Sequence, residues 1–167
     1  DEKRDTNRGQ SHTPLLGEGV ALAGSTTTWN GRSVDIQLQA KWADKGVIFG
    51  TMDQAVAEHP DLVRRYLFKR AVNPHFDKFS SLHAACWAGG TFVYVPRGVV
   101  VDEPFLGYAV LDQDGVDLSH TLVILEEGAE ATVLCETGKG GGKEGGLHCG
   151  ATELLLGPGS NLRYISL

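Results

Sequence analysis

The sequence predicts a mostly β fold, a stack of β-helix coils led in by a small α/β segment, and three observations carry that prediction. The first is a repeat. FVYVPRGVVV (Phe92–Val101), LVILEEGAEA (Leu122–Ala131) and ELLLGPGSNL (Glu153–Leu162) share one pattern, spaced 30 and 31 residues apart when Gly98, Gly128 and Gly159 are superimposed. Each reads as a short apolar-rich strand, two turn residues, a glycine and a second strand, and a fixed period of this size marks a chain built of repeated coils. The second is the alternation of faces along a strand. Val93/Val123/Leu154 and Val95/Leu125/Leu156 form apolar inward columns; Val99/Ala129/Ser160 and Val101/Ala131/Leu162 continue them past the glycine. Val100/Glu130/Asn161 and Asp102/Thr132/Arg163 face outward, Phe92/Leu122/Glu153 is mixed as a surface face would be, and Tyr94/Ile124/Leu155 is apolar and outward. The third is the corner glycine, which recurs once per coil, whereas the turns of a β-sandwich recur about every 8–12 residues. One such unit cannot bury its own apolar side, so the coils must share a core.

The elements ahead of the coils follow in chain order. VDIQLQAK (Val34–Lys41) alternates without a fault and predicts a half-buried strand, and Gly46–Phe49 predicts a second short one. Thr51 and Gln54 have the spacing of a capping box, so a short helix runs through Ala55 and Ala57 and stops before Pro60. Pro60 suits the first turn of a further helix carrying Leu62, Val63, Tyr66 and Leu67. Asp77 caps a third, with Phe79, Leu82, His83, Cys86 and Trp87 on one core-facing side, and Gly89-Gly90 ends it. These helices are expected to cover the open end of the stack, where an unpaired strand edge invites association. The organisation expected is a flexible amino-terminal segment (1–28), an α/β capping segment (29–90) and the coils (91–167).

Composition sets outer limits. In 167 residues, 15 basic and 21 acidic side chains give a net charge of −6, which argues against a nucleic-acid partner because that needs a concentrated basic face. No run approaches the roughly 18 apolar residues of a membrane span. DEKRDTNRGQSHT lacks the apolar core of a secretory signal and reads as a mobile tail or a trimmed remnant. Cys86, Cys135 and Cys149 are an odd set without CxxC spacing, which fits a reducing compartment and predicts a cytoplasmic location.

The runs GVIFGTMDQAVAEHPDLVRRYL, KFSSLHAACWAGGTFVYVPRGVVVDEPF, HTLVILEEGAEATVL and LHCGATELLLGPGSNLRYISL resemble the SufB/SufD family of iron-sulfur cluster assembly proteins. The likeness covers nearly all of residues 46–167, and its KF(x)₂L(x)₄W(x)GG(x)FVYVP(x)G(V) arrangement is specific. It implies a right-handed parallel β-helix serving, without enzymatic activity of its own, in a scaffold complex with a SufC-like ABC-type ATPase and a SufB/SufD paralog. A transient iron-sulfur cluster is the implied cargo, with none expected to stay bound to this segment alone. Family members are much longer, so the ATPase-docking and main heterodimer surfaces are expected to be missing. SufB-type chains place a sulfur-accepting cysteine nine residues after the second corner glycine, where this sequence has Thr137, which leans the comparison towards a SufD-like role.

Each chemically tempting residue has two readings. Cys135, placed in the inward column with Phe105 and Ser166, is a packed core thiol or a persulfide relay, and the relay would need a nearby cation to depress its pKa. Cys149 is the second sulfur-relay candidate. His148 and Cys149 are weak metal-ligand candidates, but as strand neighbours they point to opposite faces and cannot chelate one ion together. His83 and Cys86 share a helix face and read as core. GKGGGKEGG (Gly138–Gly146) fails the P-loop pattern and reads as an excursion between coils. Glu126, Glu127, Glu130 and Glu136 are acidic enough for a glycosidase or lyase site, but nothing in their spacing sets two carboxylates face to face, and a solvated turn is the default. Two rival functions stand beside the assembly subunit. A β-helix carbohydrate lyase or hydrolase would need a charged outward groove, and the apolar Tyr94/Ile124/Leu155 column favours covering by protein. A purely structural module would self-associate through its uncapped end, giving a homo-oligomer.

Overall fold

A computed structural model describes residues 13–140 and 146–167. It is built mostly of strands in mixed sheets, with short helices on one side. In chain order β1 (Gly24–Trp29) and β2 (Arg32–Leu38) are followed by α1 (Ala40–Ala43), β3 (Ile48–Thr51), α2 (Met52–Glu58), α3 (Pro60–Tyr66) and α4 (Lys78–Cys86). Then come β4 (Thr91–Val95), β5 (Phe105–Leu111), β6 (Val116–Asp117), β7 (His120–Leu125), β8 (Glu130–Lys139), β9 (Leu147–His148), β10 (Ala151–Leu156) and β11 (Asn161–Ser166).

The succession β4-β5-β6 is repeated by β7-β8-β9 and begun again by β10-β11, and each strand lies parallel beside its counterpart. One sheet runs β10-β7-β4-β3, a second β11-β8-β5-β1-β2, and β6 pairs with β9. Val93 pairs with Val123 and Val123 with Leu154; Val95, Leu125 and Leu156 align likewise, as the repeat predicts. The corner glycines Gly98, Gly128 and Gly159 have φ of +69°, +68° and +67°, a region an L side chain adopts only at a cost. The Gly98 amide donates to the Glu127 carbonyl and the Gly128 amide to that of Pro158, tying each corner to the next.

The inward columns of the first two coils form a buried core, in which Val93, Val95, Val123, Leu125, Ala129 and Val133 meet Phe49 and Phe105, whose rings stack at 4.9 Å between centroids, whereas Leu154 and Leu156 of the last coil are exposed. Trp42 of α1 joins this core and donates its indole N–H to Glu103. One register differs from expectation. Cys135 lies beside Gly107 and Ser166, while Phe105 lies beside Val133. Between the Val100–Glu130 bridge and the next aligned pair the first coil has two more residues than the second, accommodated around Asp102, Glu103 and Pro104. An even insertion keeps every side chain on its face and moves only its neighbour.

The Phe92/Leu122/Glu153 column, expected at the surface, is instead wholly buried. α2 and α3 pack over it, and Met52, Ala55 and Val63 meet Phe92, Leu122 and Ile124 in a second core, with Tyr94 and Leu155 at its margin. The helices therefore cover the side of the stack rather than its end. The end is covered by strands: β1 runs parallel to β5 with β2 antiparallel outside it, and β3 is antiparallel to β4.

β1 falls inside the stretch expected to be a flexible segment. Its inward residues Thr26 and Thr28 are hydroxylic, and the Thr26 and Thr91 hydroxyls satisfy one another at 3.0 Å, so hydropathy alone concealed the strand. β2 is shallower than its alternation suggested, with Val34 exposed and Ile36 and Leu38 half-buried at an outer edge. The helix signals are found as read: Thr51 and Gln54 make a capping box, Pro60 opens α3, and Asp77 accepts the Ser80 amide. α4 departs from its expected burial, because only His83 of its residues is buried while Phe79, Leu82 and Cys86 are exposed.

Candidate functional site

Inside the stack, below the apolar core, a cavity of about 150 Å³ carries Cys135 in its wall. Its lining is hydroxylic, with Thr91, Thr121, Thr152 and Tyr164 around the thiol. Gly107, the neighbour of Cys135 across the ladder, leaves this room; a Cβ there would fall 2.6 Å from the Thr91 hydroxyl and 3.7 Å from the Cys135 sulfur. The interior is therefore apolar at the Val93/Val123 level and polar beside Cys135. Burial pushes the Cys135 thiol up, with the Tyr164 and Thr121 hydroxyls opposing in part. Tyr164 is itself pushed up to about 12, first by burial and then by Cys135. This is the reverse of the cation-lowered pKa that marks a reactive thiolate.

Of the other sequence-named residues, Glu136, Thr137 and His148 also line this cavity. Cys86 is exposed on α4. Cys149 lies between β9 and β10, its amide donating to the Asp117 carbonyl. His148 Nδ1 is 2.9 Å from Asp117 Oδ2, so its imidazole is engaged by a buried carboxylate. Among the described residues no group of three or more His, Cys, Asp or Glu side chains is gathered as a metal would require. Of the glycine-rich run Gly138–Gly146, residues 141–145 lie outside the described residues, and Gly138 and Lys139 end β8.

Among the acidic residues, Glu127 pairs with Arg97 across adjacent corners at 2.7 Å, and Glu126 accepts from the Tyr66 hydroxyl. Glu136 is no turn residue: it is buried, and its two oxygens accept the Leu15 and Leu16 amides at 3.0 and 2.9 Å, anchoring the chain ahead of β1. The sequence reading missed a further constellation. His83, His120 and Glu153 are buried together, His83 Nε2 standing 2.9 Å from His120 Nδ1 and His120 Nε2 standing 3.2 Å from Glu153 Oε1. The available signal was Glu153 itself, an acid in a column otherwise filled by Phe92 and Leu122.

Residues 23–106 match the family model described as the SufBD protein N-terminal region. The chain belongs to the SufBD family. It is similar to an iron-sulfur cluster assembly SufBD family protein of Staphylococcus saprophyticus subsp. saprophyticus, at 29% identity over 87% of this chain and 31% of the relative. Counterparts with the same description in Staphylococcus epidermidis and Staphylococcus haemolyticus are 29% and 28% identical over the same shares. The chain thus spans about a third of the length of these SufBD relatives. The relatives are described as iron-sulfur cluster assembly proteins, and no described helix is long and apolar enough to cross a membrane.

Proposed function

We propose that the chain is the amino-terminal part of a cytoplasmic scaffold subunit for iron-sulfur cluster assembly, acting with a SufC-like ABC ATPase and a SufB/SufD paralog and performing no catalysis itself. In this reading the stacked strands are a right-handed parallel β-helix. Its support is the conjunction of the SufBD match with three in-register strands whose corner glycines share one backbone conformation. A stiff ladder whose outward face carries its own helices suits a platform, and the helices cover the apolar Tyr94/Ile124/Leu155 column with protein. The cluster is cargo. Among the described residues no group of three or more His, Cys, Asp or Glu side chains is placed to hold a metal, and in this reading another subunit supplies ligands at an interface.

The SufD-like lean rests on Thr137 at the position of the family's accepting cysteine and on the half-buried, pKa-raised thiol of Cys135. A relay through the interior would use Cys135 or Cys149. Mixing the full-length protein that carries this segment with the cognate ATPase and a full-length paralog, followed by size exclusion with light scattering, tests the assembly role. Co-elution with either supports it, and elution alone from both contradicts it. Incubation with a cysteine desulfurase and its sulfur-transfer partner tests the relay: mass spectrometry showing added sulfur on Cys135 or Cys149 supports transfer through this segment. Unmodified thiols would leave a scaffold role only.

A further inference from the structure

The buried His83–His120–Glu153 chain ties together parts of the molecule that are far apart in sequence. Glu153 stands on β10, His120 opens β7 and His83 is the buried residue of α4. Glu153 Oε1 accepts the Phe68 amide at 2.8 Å and Oε2 the Val72 amide at 3.3 Å, fastening the loop between α3 and α4. Phe68 holds a left-handed φ of 56°, unfavourable for a side chain of its size, and its ring meets His120 edge-on at 4.9 Å between centroids. Trp87, just after α4, lies against the same imidazole.

Hydrogen-bond geometry assigns the protons. His83 Nδ1 is 2.9 Å from the Cys149 carbonyl, which can only accept, so that nitrogen carries hydrogen. A neutral His83 then offers its Nε2 lone pair to the His120 Nδ1–H. Burial favours the neutral form of His83. His120 Nε2 is left facing Glu153, fully buried and off-line for a hydrogen bond, the unpartnered buried side-chain nitrogen or oxygen among the described residues. Burial pushes Glu153 up, but His120 and the Phe68 and Val72 amides outweigh it and keep the carboxyl below the ordinary range, hence ionised. A bare Nε2 would set a lone pair against that carboxylate, whereas a protonated one makes a buried ion pair. The neighbouring titratable groups do not substitute for it: Asp117 of β6 is taken by the Ser119 amide and by His148 of β9, and Cys149 contributes its carbonyl.

We propose that His83, His120 and Glu153 form a proton-dependent clasp, with His120 an imidazolium against the Glu153 carboxylate. Loss of the Nε2 proton releases α4 and the Phe68–Val72 loop from the stacked strands β7 and β10. The test uses the whole chain with ¹⁵N-labelled histidine, following imidazole nitrogens and amide exchange protection from neutral to alkaline pH. At neutral pH both His120 nitrogens should be protonated and His83 should carry hydrogen on Nδ1 alone. As the Nε2 proton is lost, the protection factors of the Phe68 and Val72 amides should fall, approaching about tenfold per pH unit for one released proton. In Glu153→Gln that dependence should vanish. A bare His120 Nε2 at neutral pH overturns the proposal, as does Phe68 and Val72 protection that does not follow loss of that proton or an unaltered dependence in Glu153→Gln. If that variant does not fold, the nitrogen spectrum and exchange of the unmodified protein still decide.

Discussion

A buried histidine that is held neutral makes stability depend on acid. His83 lies below its ordinary value of 6.5 because burial disfavours the imidazolium, and Glu153 lies below 4.5 because its hydrogen-bond donors outweigh burial. In both cases the unfolded chain binds the proton more readily than the folded one in the window between the two pKa values. The stabilisation is therefore complete above each ordinary value and is lost as pH falls through the folded one. Thermal unfolding should show stability declining as pH drops below about 6.5, and His83→Phe should flatten the upper part of that decline. Cysteine reactivity follows from the same physics of burial. In the native state Cys86 should be alkylated quickly and Cys135 slowly, the difference closing in urea; mass-resolved labelling with iodoacetamide measures it. Fast native labelling of Cys135 would contradict the raised thiol pKa and its place in the interior.

The elements differ in how openly the sequence announced them. Strands β4, β7 and β10 were legible because Val and Leu alternate at inward positions, and the helix boundaries because Thr51, Pro60 and Asp77 are local signals whose hydrogen bonds or fixed dihedrals need no tertiary partner. β1 was not, since its core-facing threonines become suitable for burial only when Thr91 supplies the matching hydroxyl. α4 misled for the opposite reason: its apolar residues share a helical face, yet the fold buries a single imidazole of that helix. Two substitutions test the elements by urea unfolding. Phe92→Ala empties a site closed by both the stack and α2, and should cost about 3–5 kcal/mol. Gly128→Ala makes only an ordinary contact with Gly98 Cα at 3.9 Å but keeps a left-handed φ, so its cost should be only about 1–2 kcal/mol.

At the scale of the molecule, the period of 30 and 31 residues reported which strands become neighbours, because equivalent positions end up side by side. It could not report what covers the stack: the mixed Phe92/Leu122/Glu153 column looks like surface until the helices are laid on it, and a two-residue insertion displaces the partner of Cys135 without altering any face. The sites were legible as residue types and not as surroundings, since Tyr164 meets Thr121 and Cys135 only when the last two coils are aligned. The last coil also leaves Leu154 and Leu156 partly exposed beside an outer strand. Light scattering should accordingly reveal concentration-dependent association that Leu156→Lys suppresses. The most direct measurement is backbone NMR of the strand contacts. Parallel stacking predicts cross-strand amide and α-proton contacts from Val123 to both Val93 and Leu154, thirty-odd residues away in either direction. Contacts from Val123 to an antiparallel partner in β8, with none to Val93 or Leu154, would contradict it.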